Sequence, residues 1–239
     1  MYGNWGNFTY TSVAELKQKA AKAIAKLPDA TPALPHPNKR SICLTWWGQA
    51  WCHNLESYAD FAYRLERGRR YFRAGTVIDL KTHNNNITAK VQGSDRNPYN
   101  ITITIDKPPK KDIAAITKLS ARRIDNIDAL LKGNFPEDLQ ELFTQKKPGL
   151  FPTPKEIHFK CDCPDWAGLC KHVAAVLYGI GVRIDNDPTE MFRLRGIDID
   201  NFISGVVDDK VAEMLEHVDV QSNRIIQNAD IAAIFGING

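Results

Sequence analysis

No G-x-x-x-x-G-K-[ST] phosphate loop occurs in the 239-residue sequence, so nucleotide hydrolysis by a P-loop mechanism is not expected and any ATP-driven step belongs to a partner. No apolar stretch approaches the roughly 20 residues that a membrane-spanning helix needs. The start, Met1-Tyr2-Gly3-Asn4-Trp5-Gly6-Asn7, has neither the basic region nor the apolar run of a secretory signal. Internal repeats and low-complexity segments are absent as well. No two carboxylates form a defensible acid–base pair. Cys52 and His53, adjacent on a predicted helix, diverge and make a poor nucleophile and base. His83 and His158 lack partners at metal-ligand spacing and read as surface residues. These absences predict a cytoplasmic protein, not an enzyme, with no membrane contact.

Cysteine is scarce, five in all, an odd number, and three of the five fall between positions 161 and 170. That is metal spacing, and it does not imply an oxidising compartment. Cys43 and Cys52 are expected reduced and buried, as small apolar residues. The 43% apolar and 25% charged content is that of a soluble globular chain, long enough for one large or two small cored domains. The net charge of +3 is unevenly spread. Residues 1–160 carry 25 Lys and Arg against 15 Asp and Glu, a balance of +10, and residues 161–239 carry 6 against 13, a balance of −7. Such asymmetry suggests that the first two-thirds meets a polyanion; the alternative is mutual attraction of the two parts within the fold.

The sequence is organised around Phe159-Lys160-Cys161-Asp162-Cys163-Pro164-Asp165-Trp166-Ala167-Gly168-Leu169-Cys170-Lys171-His172. Three thiolates and one imidazole are a recurrent closed set for tetrahedral zinc, so Cys161, Cys163, Cys170 and His172 are the predicted ligands of one structural zinc ion. Cys161 and Cys163, two apart, grip from one wall. Pro164 stops the strand, Gly168 loosens the turn, and Cys170 and His172 stand at the mouth of a helix that is apolar nearly all round from Val173 to Ile180. Lys160 and Lys171 offset the site's excess negative charge. A catalytic ion keeps an open position, and four good ligands leave none.

The pattern C-x-C-x6-C-x-H followed by an apolar helix, over about residues 157–181, resembles the SWIM zinc finger at every ligand position. Trp46-Trp47-Gly48 and Arg67-Gly68-Arg69-Arg70-Tyr71 add a resemblance to prokaryotic stand-alone SWIM proteins. The resemblance implies a DNA-binding or protein-interacting module, with an SNF2-type helicase ATPase as partner.

Along the chain, Ser12-Val13-Ala14-Glu15 reads as a capping box that opens a helix to about Lys26, followed by a proline-rich extended connection through Lys39. Trp47, Trp51, Leu55, Tyr58, Ala62 and Leu65 predict one amphipathic helix from Gly48 to Leu65, its aromatic stripe in the core and Trp46 off it and a candidate for exposure. Period-two segments at Tyr71–Leu80, Ile87–Val91 and Tyr99–Ile105 predict a three-stranded antiparallel sheet covered by that helix. Helices follow around Ile113–Leu119 and Ile124–Leu131, then a turn or two from Pro136 through Leu139, Leu142 and Phe143, then a short helix after Asp187-Pro188-Thr189-Glu190, then amphipathic pieces holding Val211, Met214 and Leu215, and Ile231, Ile234 and Phe235. The fold class is α+β, with a basic domain over 1–148, a zinc-finger module over 149–196 and an acidic helical segment over 197–239.

Arg64, Arg67, Arg69, Arg70 and Arg73 lie in ten residues, with Gly68 expected to make a turn and Tyr71 and Phe72 between the charges. Arginine forks match phosphates bidentately and stack on bases, so these five are the predicted nucleic-acid contacts. The bland reading is a helix end whose arginines cap carbonyls. Two functions follow. One is a non-enzymatic zinc protein that binds nucleic acid, taken as DNA, beside an SNF2-type ATPase; the other is an adapter that docks on the ATPase through protein contacts alone.

Overall fold

Ser12 begins the first described element, in a computed structural model that describes residues 11–37, 40–57, 62–123, 139–145, 147–165 and 167–216. Its hydroxyl accepts the Glu15 N–H at 3.2 Å and Glu15 accepts the Ser12 N–H at 2.8 Å, so the predicted capping box opens α1, Val13–Ile24. The connection that follows lies along the first strand, where the Ala33 N–H donates to Val77 O and the Leu80 N–H to Thr31 O.

The expected single helix over 48–65 is two helices, α2, Trp46–Glu56, and α3, Ala62–Arg73. Periodicity did not mark the break because Trp51, Leu55 and Leu65, on either side of it, are all buried in one core. Tyr58 lies outside the described residues. Trp46 is half-buried, with its ring edge-on to Trp47 at 5.4 Å. Tyr71 and Phe72 belong to α3 and not to a strand. An apolar doublet fits either period; here the chain stays helical to Arg73 and turns at Gly75, which takes φ +70°.

The sheet has four strands, in the order β1, Val77–His83, β2, Asn86–Val91, β3, Tyr99–Ile105, and β4, Ile157–Cys161, all antiparallel. Three were predicted to pair; the strand expected to lead into the zinc loop is β4, and its pairing with β3 as a fourth member of the sheet was not foreseen. Register carries the fold into the site. Leu80, Ala89, Ile101 and Cys161 stand side by side across the four strands, so Cys161 sits in the row whose other three members are buried.

The buried face is covered by α6, Lys171–Asn186, and not by the tryptophan helix. Thirteen of its residues, from His172 to Asp185, are buried, as the all-round apolar sequence required. α2 and α3 pack on α6: Trp51 Nε1 donates to Leu177 O at 2.9 Å, and α3 crosses so closely that a Cβ on Gly68 would lie 2.3 Å from Ala174 Cβ. Gly68 is therefore a helix-crossing residue and not a turn. α4, Lys110–Arg123, packs on α8, Ile199–Glu216, while α5, Gln140–Thr144, and α7, Glu190–Leu194, complete the described helices. The helices expected at Ile124–Leu131 and at Ile231, Ile234 and Phe235 lie outside the described residues, and no helix of those described is long and apolar enough to cross a membrane.

The C-terminal end of α6 explains the Thr45-Trp46-Trp47-Gly48 run. The buried Asp185 carboxylate accepts the Leu44 N–H at 2.8 Å, the Thr45 N–H at 2.7 Å and the Thr45 hydroxyl at 2.5 Å, and His36 Nε2 lies 2.8 Å away. Gly48 is needed there, since a Cβ would meet Asp185 Oδ1 at 2.5 Å.

At an unobstructed mid-helix position Gly→Ala stabilises by about 1 kcal/mol through propensity. At Gly68 the added methyl meets Ala174 Cβ at 2.3 Å and backbone at 2.9 Å, and overpacking of this kind costs about 1–3 kcal/mol. Gly68→Ala is expected to lower stability in urea denaturation; a rise in the midpoint would contradict the close crossing.

Candidate metal centre

Cys161 arrives at the end of β4, Cys163 from the bend after it, and Cys170 and His172 at the start of α6. Their ligand atoms all lie within 4.8 Å of one another, with Cys163, Cys170 and His172 buried and Cys161 partly so. In a tetrahedral site with metal–sulfur and metal–nitrogen bonds of about 2.3 and 2.0 Å, neighbouring ligand atoms stand about 3.5–3.8 Å apart. Cys170 Sγ and His172 Nδ1 are 3.8 Å apart. The four side chains fit a metal ion, and the donor set is closed.

Local folding places each ligand. Cys170 is the N-cap of α6, and its sulfur accepts the Val173 N–H at 3.5 Å. A hydrogen bond from Cys161, the neighbouring His172 and that N–H together draw the Cys170 thiol down to about 3, against the opposing effect of burial. The same Cys161–Cys170 bond, with burial, pushes the Cys161 thiol far above its ordinary range, and burial also raises Cys163. Burial lowers His172, which keeps its imidazole neutral and able to ligate. Cysteine ligates as the thiolate, so a cation bound here displaces thiol protons.

The loop is tied from outside the ligand set. Asp162, between the first two cysteines, accepts the Asn100 N–H at 2.9 Å and the Asn100 side-chain amide at 2.8 Å. Asp165 accepts Arg64 Nη1 at 2.8 Å on one oxygen and the Ala167 N–H at 3.2 Å on the other. The His172 ring lies between Tyr99, 4.4 Å away, and Tyr71, 5.4 Å away. Its Nε2 is buried beside Gly93 with no hydrogen-bond partner among the described residues, so stacking orients the ring. Lys171 Nζ stands 5.5 Å from the Tyr71 ring centroid. Gly168 has no neighbour a Cβ would meet and no positive φ, so its expected turn freedom is not called upon.

The five arginines are all on α3, largely engaged within the protein. Arg64 holds Asp165, and Arg69 pairs with Glu56 and faces the Tyr178 hydroxyl at 3.4 Å. Arg67 donates to the Tyr63 hydroxyl at 3.0 Å and Arg73 to Arg40 O at 2.6 Å, both from exposed positions; Arg70 is half-buried and also has an internal interaction. Tyr71 and Phe72, expected between the charges as stacking surfaces, are buried. Cys43 is buried and Cys52 half-buried, their sulfurs 3.5 Å apart, and His158 is exposed beside Asp106. Sequence reasoning missed Asp162, Asp165, Tyr71 and Tyr99 as supports. The two aspartates stand inside the motif, but their partners, Asn100 and Arg64, are 62 and 101 residues away.

Structural sites of this donor type contribute on the order of 10 kcal/mol to folding. Cys170→Ala is expected to lose its metal, by elemental analysis, and to lose the thermal transition of the intact protein, while Cys43→Ala keeps the metal. A Cys170→Ala protein that retained metal and full stability would contradict the assignment.

The chain is similar to uncharacterized protein Rv2102 of Mycobacterium tuberculosis, with 35% identity over 167 residues, 70% of this chain and 60% of that protein. It thus spans less than two-thirds of the relative's length. No family profile matches the chain. No solved structure matches it either.

Proposed function

We propose that this is a non-enzymatic zinc protein that binds nucleic acid, with DNA as the ligand, and that it serves as an accessory to an SNF2-type helicase ATPase. The observation that carries the reading is the closed Cys161–Cys163–Cys170–His172 cluster at the start of a buried helix, in the spacing of the SWIM finger. Soft thiolates in a tetrahedral set favour zinc, and a set with no open position favours structure over catalysis. The +10 balance of residues 1–160 supports a polyanionic ligand. Of the arginines, Arg67 and Arg73 are exposed and add to phosphate binding, while Arg64 and Arg69 act mainly by bracing the fold.

The adapter reading is favoured by one observation. Val211, Met214 and Leu215 are exposed near the end of α8, in the acidic part of the chain, a surface suited to a protein partner.

Equilibrium binding of the zinc-loaded protein to labelled DNA across a salt series separates the two. Displacement of counterions by several phosphate contacts gives a slope of log affinity against log salt of about −3 to −5. No binding at low salt would overturn the nucleic-acid reading in favour of the adapter.

A further inference from the structure

A second basic feature lies away from the arginine helix. Lys19 and Lys22 on α1 and Lys26 just beyond it share a cleft of about 570 Å³ with Lys90 of β2 and Arg96 of the β2–β3 loop. These five cations come from three separate segments, so their convergence is a product of the fold and not a charge run along one helix. All but Lys90 are exposed, and Lys90 is half-buried. Among the described residues only Lys81 and Lys210 of the lysines form ion pairs.

Nearby carboxylates are otherwise occupied. Asp95, the one carboxylate in the lining among the described residues, accepts the Arg96 N–H at 2.6 Å. Asp79, opposite Lys90 across the strands, binds Thr31 and Lys81, and Glu15, one turn before Lys19, is held by its own cap. Asn97 and Asn100 also line the cleft, and the buried Gln92 braces its loop by donating from Nε2 to Gly93 O and Asp95 O.

The cleft wall is built on the metal centre. Gly93, in the β2–β3 loop, packs so tightly that a Cβ would meet Tyr99 at 2.6 Å and His172 Nε2 at 3.0 Å. Asn100, in the lining, is held by Asp162 from between two ligands. Lys19 Nζ closes the other side by donating to Ser94 O at 2.6 Å.

We propose that this cleft is the surface that contacts the phosphate backbone of duplex DNA, and that the metal centre holds its shape; the proposal rests on the nucleic-acid reading above. Among the described residues no aromatic ring lines the cleft, so none of them supplies the stacking platform that non-specific single-strand binding uses. Lysine ammoniums and an arginine guanidinium are groups that position a protein on a backbone. Lys19 to Lys26 covers about 10 Å at 1.5 Å per residue, close to three base-pair rises of about 3.4 Å.

The test is fluorescence anisotropy of the full chain, metal-loaded, with a labelled 20-base-pair DNA duplex and the same strand alone, each across a salt series. Lys19→Ala/Lys22→Ala/Lys90→Ala is expected to keep its metal and circular dichroism, to bind the duplex more weakly, and to flatten the salt slope by about 1 for each lysine removed. Metal-stripped wild-type protein is expected to lose duplex binding. If the wild type binds duplex and the triple variant binds with unchanged slope, the cleft assignment is overturned while the nucleic-acid reading stands, with its contacts on α3. Tighter binding to the single strand overturns the duplex assignment. No binding by the wild type overturns both.

Discussion

One buried helix, α6, packs against all four strands and against α2, α3 and α7. The sheet lies on one side of it, α2 and α3 on another, and the close approach at Gly68 and Ala174 leaves no room for slippage. Both ends of α6 are held by polar chemistry that an apolar helix cannot supply for itself. At its start, Cys170 caps the helix and joins the thiolate–imidazole cluster. At its end, the Asp185 carboxylate sits where the helix dipole disfavours negative charge, an effect of about 0.3–1 kcal/mol at exposed sites. Backbone N–H groups of Leu44 and Thr45, at the positive start of α2, offset it. Remove either tie and an apolar helix loses the constraint that fixes its position between the sheet and α3.

The metal centre is accordingly a junction and not an appendage. β4 delivers Cys161 while pairing with β3, and β3 delivers Tyr99 to the face of His172 and Asn100 to Asp162. Arg64 reaches the same loop from α3. The loop that carries Arg96 rests on His172 through Gly93. An ion bound there would tie the cluster, the edge of the sheet and the wall of the basic cleft together, which would link the metal to the proposed DNA surface without placing the ion in contact with DNA.

The site was legible because its four ligands are local, twelve residues end to end, and their spacing is chemical. The apolar helix behind it, the first capping box and the β2–β3 pattern were legible for the same reason: period and cap are short-range signals. What was not legible depended on distant partners. The α2–α3 break hid behind a stripe whose residues share one core, and Tyr71-Phe72 satisfied a strand period as well as a helical one. β4 was legible only as the strand entering the metal motif, because β3, its pairing partner, is distant in sequence. The arginine cluster looked free in sequence because Asp165 and Glu56 stand far from or behind it, and the lysine cleft was invisible because α1 and Lys90 are more than sixty residues apart.

Hydrogen exchange of the full chain, with metal bound and after chelation, tests the central claim most directly, because it reads the junction segment by segment. The account predicts that chelation removes protection from Ile157–Cys161, the first turn of α6 and residues 93–98 together. Unchanged protection in these three segments, with the metal demonstrably removed, would contradict a metal-held junction.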